Sequence, residues 1–380
     1  MKLYYKIFFL IIIIFINLIN KLFLLSIIKF YIFKRGRKYL DKCLQNIYNK
    51  RKYYILKKAP KISVIIPIYN CQNTIKFSLS SIQNQKLNDL EIILINDFSK
   101  DSSKAIIEKI QKEDLRITLI NNKKNMGTLY SRNIGVLASK GKIIFPLDND
   151  DMFFDENILY IIYKESKKYD YDIIGFKVVL GHNYFSKITD FYDDPFIKKK
   201  NNMVIYQPNL SFLSINNNDC HIWGKSIKNN LYKKAVNALG LKKYSIYLCN
   251  AEDDVMIFIL FSIAKSFKFT TKYGLYHLIS NETASVTLPL NHILFSKIYF
   301  LDILFDFTKN NTKDKEYVVS NAIKLKNIFL SKISLNNKNK KYLKLVLKKI
   351  ISSNFITKEN KEVIFENFKN FTNFSFSKFM

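Results

Sequence analysis

The sequence predicts an α/β fold with a mainly parallel central sheet, and three observations predict it. Short apolar runs of strand length alternate with longer stretches of helical period from residue 61 to residue 180. The runs begin about every 25 to 28 residues, the repeat that strand–helix–strand units require. Three of the runs end in polar or acidic clusters that this topology places along one edge of the sheet, where open α/β sheets bind ligands.

The elements follow in order. Ile62–Ile66 reads as a short buried strand, and after a polar turn Thr74–Gln85 has helical period. Leu90–Ile95 (LEIILI) is the second strand and Ser102–Lys112 the second helix. Arg116–Ile120 and Thr128–Ala138 form the third pair, and Lys142–Leu147 is the fourth strand. Glu156–Lys168 then reads as helix and Asp172–Leu180 as strand, while residues 181–219, polar and aromatic, read as loops around a site. Val255–Ile263 is an apolar helix. Beyond residue 288 the chain is rich in Lys and Asn, with apolar residues at helical spacing over Leu294–Phe307, Tyr317–Ile333 and Tyr342–Ile351, which predicts a helical C-terminal appendage.

At 380 residues and 48% hydrophobic, the chain has material for one ordinary domain plus appendages and is no disordered polymer. Its 61 Lys and Arg against 31 acids give a formal charge of +30. That excess invites a nucleic-acid reading. The basic residues, however, are spread along the whole chain, no recognition helix, zinc finger or RNA-binding motif is present, and Lys, Asn, Ile, Tyr and Phe together track A/T-rich codons. Nucleic acid is therefore set aside. Attraction to anionic lipid remains, since each Lys or Arg near such a surface contributes about 1 kcal/mol. Cys43, Cys71, Cys220 and Cys249 show no metal-type spacing and read as reduced thiols of a reducing compartment. His221 beside Cys220 lacks the further ligands a metal needs.

Residues 1–33 form a separate region, apolar from Ile7 to Phe33 and long enough for a membrane-spanning or membrane-lying helix. Residues 34–60 form a basic linker: between Lys34 and Lys58 stand ten basic residues and one acid, Asp41. The positive-inside rule keeps that flank, and the domain after it, on the cytoplasmic side. The expected order is thus an anchor at 1–33, a linker at 34–60, a catalytic domain at 61–287 divided near residue 180, and helices over 288–380.

Chemistry concentrates at the strand ends. Asp148-Asn149-Asp150-Asp151 follow the fourth strand directly. Carboxylates packed this closely repel one another unless a cation or donor compensates them, and hard oxygen ligands suit Mg²⁺ or Mn²⁺, ions that also grip diphosphates. The plainer reading is an acidic turn that caps the next helix. Strand one ends in Pro67-Ile68-Tyr69-Asn70 and strand two in Asn96-Asp97-Phe98-Ser99. Tyr69 offers a stacking face and Asp97 a partner for a base, unless Asp97 and Ser99 only cap the next helix. Asn125-Met126-Gly127-Thr128 opens a helix with Arg132 one turn in, an anion site suited to a diphosphate. Glu252-Asp253-Asp254 leads into the apolar helix. It supplies a candidate base, or simply favourable charge at a helix start.

Four segments in register, KISVIIPIYN, EIILINDFSKDSS, NMGTLYSRNIGVLASKG and IIFPLDNDD, resemble glycosyltransferase family 2. The resemblance covers about residues 61–180 strongly and continues to about 287. It implies the Rossmann-like glycosyltransferase A fold, a divalent cation, Mn²⁺ or Mg²⁺, and inversion at the sugar carbon. By it, Pro67, Tyr69 and Asp97, with Asn70 and Asn149 alongside, hold the donor nucleotide, and Arg132 lies near the diphosphate. Asp148 and Asp150 take the Asp-x-Asp positions, Asp150 as the direct metal ligand. Asp253 is the base, with Glu252 and Asp254 left open. The segment His221-Ile222-Trp223-Gly224-Lys225 resembles a Trp-Gly-Lys element of these transferases, and Trp223, Lys225 and His277 become acceptor-site candidates. Where the family carries a glycine after the acidic pair, this chain has Phe98.

The implied reaction moves a sugar from a nucleoside-diphosphate sugar, in the family's common form a UDP-sugar, to a hydroxyl of a saccharide or lipid-linked saccharide. The sequence argues against processive polymerisation, since it shows no Gln-x-x-Arg-Trp segment and one candidate span. Two other classes stand beside this one. A sugar nucleotidyltransferase calls for a glycine-rich basic loop where Tyr69-Asn70-Cys71-Gln72 stands. A non-catalytic saccharide-binding or scaffold protein on a degenerate transferase fold is the other, and Asn96 and Phe98 are the residues that favour it.

Overall fold

The computed structural model describes residues 59–181, 190–192, 204–206, 221–240 and 252–279, together with helical positions between 298 and 362. The chain lays down β1 (Ile62–Ile68), α1 (Ile75–Gln83), β2 (Leu90–Asn96), α2 (Ser103–Gln111), β3 (Ile117–Asn121), α3 (Thr128–Ala138) and β4 (Ile143–Pro146). There follow β5 (Met152–Phe153), α4 (Ile158–Tyr169), β6 (Ile173–Gly181), β7 (Asp190–Tyr192), β8 (Val204–Tyr206), β9 (Lys225–Lys228), α5 (Asn229–Leu239), α6 (Glu252–Ile263) and β10 (Ser266–Leu278).

β1 and β2 are buried at every position. A strand covered on both faces needs no polar alternation, which is why these segments are mostly apolar, with Ser63 and Glu91 bonded to each other across the strands (2.6 Å). All ten strands join one sheet in the order β3-β2-β1-β4-β9-β6-β10-β5, with β7 on β6 and β8 on β10. The half from β3 to β4 is parallel throughout.

The other half departs from the sequence reading. β9 runs antiparallel between β4 and β6, and β5, β7 and β8 also pair antiparallel. Only β6 and β10 are parallel there. The sheet is mixed, not mainly parallel. The cause lies in β9, whose four residues KSIK carry no strand-like apolar pattern yet wedge between two parallel strands. Two short strands also stand inside the segment that reads as loops.

Gly135 sets how closely α3 approaches the sheet. A Cβ there would lie 2.5 Å from both Ile65 Cγ2 and Ile95 Cδ1, so only glycine lets the helix settle onto β1 and β2. Arg132, one turn earlier, is thereby brought down to the strand tips. α6 is apolar all round and buried from Val255 to Phe261, as a central helix must be. Its acidic first turn emerges at the same edge. The core cluster around α6 also takes in Ile298, Leu301, Leu304, Leu343 and Leu347. Helical positions of the predicted C-terminal region thus cover this helix.

The apolar segment 7–33 lies outside the described residues. Among the described residues no helix is long and apolar enough to cross a membrane.

Candidate active site

The turns after β1 and β2 are cross-bonded into one ledge. Asn70 N donates to Ser99 Oγ (3.2 Å), and Asn70 Oδ1 accepts from Lys100 N (2.8 Å). Gln72 N donates to Asp101 Oδ2, Gln72 Oε1 accepts from Ser102 N, and Cys71 N donates to Ser103 Oγ. Asn70, expected at the donor, therefore spends its amide on this ledge. The Tyr69 ring beside it is 46% exposed, open to stacking.

Asp97 is buried, and its carboxylate accepts from Met126 N (2.8 Å), Gly127 N (2.7 Å) and Asn122 Nδ2 (2.8 Å). It organises the turn into α3 across the sheet edge, a contact that local sequence does not announce. Asn96 donates to Asn121 Oδ1 and accepts from Ser99 N, so it too holds a turn. Phe98 stands at φ +65°, the left-handed region that glycine tolerates best. The turn expected of a glycine is kept, with an exposed ring on it and Lys100 Nζ 3.6 Å from the ring centroid.

At the tip of β4, Asn149 Nδ2 donates to the Pro67 carbonyl (3.1 Å) and ties this tip to that of β1. Arg132 is 1% exposed and bridges two carboxylates: Nη2 lies 2.8 Å from Asp148 Oδ1 and Nη1 lies 2.8 Å from Asp253 Oδ1. The arginine expected at a diphosphate thus has both terminal nitrogens on protein carboxylates. Asp253 Oδ2 accepts from Ile222 N (3.0 Å). Burial raises the Asp253 carboxyl above the usual range, with Arg132 opposing. Burial, and then the charge of Asp253, push Glu252 up to about 7. Asp254 occupies the same first turn of α6.

Asp150 is likewise pushed up to about 7, by burial and then by Asp151 and Asp148. Asp151 is fully buried. Its Oδ1 is 2.8 Å from His277 Nδ1 and accepts from Leu278 N, while Oδ2 has no partner. Burial pulls the His277 imidazole down, but the Asp151 carboxylate outweighs it and lifts the group to about 9, so it is cationic at neutral pH. This pair exists because β5 and β10 align Tyr276 with Met152. The Asp151–His277 partnership was missed by sequence reasoning; the one signal was a histidine inside a mostly apolar run.

Trp223 stacks with both His221 (centroids 4.4 Å apart) and His277 (4.7 Å), so the aromatic surface it could offer a sugar is shared with two imidazoles. Lys225 is buried and its Nζ donates to the His221 carbonyl (2.7 Å), closing the turn in which Gly224 takes φ +71°. The structure makes Lys225 a strut of that turn.

Among the described residues no three His, Cys, Asp or Glu side chains converge as a metal cage. The donor set nonetheless fits Mg²⁺ or Mn²⁺ in its usual phosphate-binding mode, one or two carboxylates plus substrate oxygens. Asp150, raised by burial and by its acidic neighbours, and the Asp151 Oδ2 beside it, which is buried without a hydrogen-bond partner, gather carboxylate oxygens at this strand tip.

The family model described as glycosyl transferase family 2 matches residues 63–234. An uncharacterized glycosyltransferase of Haemophilus influenzae is 43% identical over 97 residues, 26% of this chain and 30% of that protein. A GalNAc(5)-diNAcBac-PP-undecaprenol beta-1,3-glucosyltransferase of Campylobacter jejuni is 34% identical over 111 residues, 29% of this chain and 36% of that one. The matched stretch spans about a third of either relative's length. Among solved structures, S. aureus TarS 1–349 in complex with UDP-GlcNAc superposes with a TM-score of 0.48 at 16% identity, covering 82% of this chain and 92% of that one.

Proposed function

From a chain whose residues 63–234 carry a glycosyltransferase family 2 domain, we propose an inverting transfer of a sugar from a nucleoside-diphosphate sugar, the UDP form, to a hydroxyl of a saccharide or lipid-linked saccharide. The observation that carries this reading is the Arg132 bridge. It sets Asp253, from α6, beside the acidic tip of β4, so a base candidate and the donor-side carboxylates share one edge of the sheet.

In the proposed reaction Tyr69 presents its exposed ring to the base of the donor, and the ledge built by Asn70 and Ser99 fixes where that ring stands. Asp150, with Asp148, would hold a divalent cation, which when bound supplies positive charge at the departing diphosphate. Asp253 takes the proton of the acceptor hydroxyl as it attacks the sugar carbon from the opposite face, a contribution of typically ~10²–10⁴-fold. Ile222 N and Arg132 fix the direction in which that carboxylate points. His277, held cationic by Asp151, adds a second positive group on the donor side. The Campylobacter jejuni relative, named for a PP-undecaprenol-linked acceptor, supports the lipid-linked class, and the apolar segment at residues 7–33 supports a membrane-anchored enzyme with its domain on the cytoplasmic side.

A panel of nucleotide-sugars, with and without Mn²⁺ and without acceptor, tests the reading by slow donor hydrolysis. At least one donor should be hydrolysed in a metal-dependent way, and calorimetry should detect the matching nucleoside diphosphate only with the metal present. Binding without turnover of any donor, under conditions where Mn²⁺ also binds, would leave a non-catalytic saccharide-binding protein instead.

A further inference from the structure

The edge of the sheet opposite the acidic tips has a chemistry of its own. β1, β6 and β10 all begin there, and α4 ends there at Tyr169. Tyr169 stacks on Tyr171 with centroids 5.4 Å apart, and Lys268 Nζ lies 5.4 and 5.5 Å from the two ring centroids. Lys168 Nζ stands 4.7 Å from the Tyr169 ring, which is 48% exposed. At the start of β1, Lys61 Nζ stands 5.1 Å from the Tyr163 ring.

Four acids of this edge are matched by lysines: Asp89 by Lys61 (2.7 Å), Glu165 by Lys268 (3.7 Å), and Asp170 and Asp172 by Lys228 (3.0 Å each). Lys164, Lys167 and Lys168, exposed on α4, are in excess of them. Tyrosine rings with a polar tip, and lysines with an apolar stem under a charged head, are the side chains that settle at a membrane–water boundary. The chain also enters the sheet here. The residues that precede β1 carry ten basic side chains against one acid over 34–58, and before them the apolar run 7–33.

We propose that this Lys–Tyr edge, centred on Lys164, Lys167, Lys168 and Tyr169, rests against an anionic lipid surface. Charge complementarity, from the exposed lysines of α4 in excess of the neighbouring acids, identifies that occupant. The consequence rests on the transferase reading above. β1 is seven residues long, so at ~3.3 Å per residue the catalytic edge stands roughly 20 Å farther from the headgroups. Such a site meets the outer sugars of an extended lipid-linked saccharide and not the sugar next to the lipid.

The full chain contains a single tryptophan, Trp223, which stacks on His277 near the far end of β10. The full-length protein, reconstituted into phosphatidylcholine vesicles with or without phosphatidylserine and carrying a nitroxide-headgroup lipid as quencher, tests the proposal. Tyr169→Trp should gain a fluorescence component that is quenched at least twofold more in the phosphatidylserine vesicles. Trp223 should remain unquenched in both. Adding Lys164→Glu and Lys168→Glu to Tyr169→Trp should abolish the difference. Quenching of Trp223 in place of the introduced indole, equal quenching in both vesicle types, or no quenching would each overturn the proposal. The readout needs no turnover, so a headgroup contact found in a protein that hydrolyses no donor would remove the transferase reading and leave this surface standing.

Discussion

Arg132→Met removes the one buried cation between two carboxylates, and its effect can be worked from the geometry. The guanidinium is 1% exposed and makes two 2.8 Å charge-assisted contacts, to side chains that are 29% (Asp148) and 18% (Asp253) exposed. Taking away one partner of a buried pair costs about 3–5 kcal/mol, mostly because the remaining charge is stranded. Here two carboxylates are stranded, but each keeps some access to solvent, which places the loss near the lower end, about 3 kcal/mol. At a urea dependence of about 1–3 kcal/mol per molar, the unfolding midpoint should fall by roughly 1–3 M. Asp253→Asn introduced into Arg132→Met should recover part of that loss, since a neutral amide has no repulsion to relieve, and the two changes should be strongly non-additive. Arg132→Lys keeps the charge but presents one nitrogen where two are needed, so it should fall between wild type and Arg132→Met. Urea unfolding followed by circular dichroism reads all five proteins, Asp253→Asn alone included. A loss below about 1 kcal/mol for Arg132→Met, or simple additivity with Asp253→Asn, would refute the bridge as the organising contact of the site.

Phe98→Gly should raise the midpoint slightly: relief of a left-handed non-glycine residue is worth about 1–2 kcal/mol, offset by the chain entropy of glycine, about 0.5–1 kcal/mol; a lower midpoint would show that the Phe98–Lys100 contact outweighs the strain. His277 is raised in the folded protein to about 9 from 6.5, so its contribution is fully present below pH 6.5 and fades as pH rises through about 9. Urea midpoints between pH 6.5 and 9.5 should therefore fall more steeply for wild type than for His277→Gln; parallel curves would disprove the pairing with Asp151. Asp150→Ala should abolish metal-dependent nucleotide binding in calorimetry with Mn²⁺, and undiminished binding would take the metal away from that strand tip. Asp253→Asn should reduce transfer by at least about 10²-fold while nucleotide binding persists, whereas Glu252→Gln should keep most of the activity; the reverse pattern would move the base to Glu252.

The parallel half of the sheet was legible because burial on both faces writes itself as mostly apolar runs without polar alternation, Ile62–Ile68 with only Ser63 and Leu90–Asn96 with only Glu91 and Asn96 polar. The second half was not. β9 buries Lys225 and Ser226, satisfied by the His221 and Ile174 carbonyls, so the strand carries no apolar run although three of its four residues are buried. β10 is interrupted by Thr270–Lys272, and its pairing with β6 shifts register just there. At the site, residue types were readable and partnerships were not. Arg132 reads locally as an anion-binding residue in the first turns of a helix, and nothing nearby in sequence announces a carboxylate 121 positions away. Asp97 reads as a partner for a base, yet its carboxylate is taken by two backbone N–H groups at the mouth of α3, those of Met126 and Gly127.

These partnerships divide the acidic groups by task. Arg132 fixes Asp148 and Asp253, and His277 fixes Asp151. The two carboxyls lifted to about 7 are Asp150 and Glu252, one at the tip of β4 and one at the start of α6. A group raised by burial and by like charge ionises more readily when positive charge arrives, so a cation beside Asp150 would turn it from a half-protonated acid into a ligand. Glu252 has no such visitor in the proposed reaction, and its raised value follows from burial and from the ionised Asp253 next to it. Burial is the larger cause of that elevation and the charge of Asp253 the second, so the acid beside the proposed base responds to the charge the base carries. Protonating Asp253, or replacing it with asparagine, should bring Glu252 back toward the ordinary carboxylate range. The same substitution that removes the base should thus lower the pKa of the neighbouring acid, an outcome that a Glu252 signal in NMR titration can read directly.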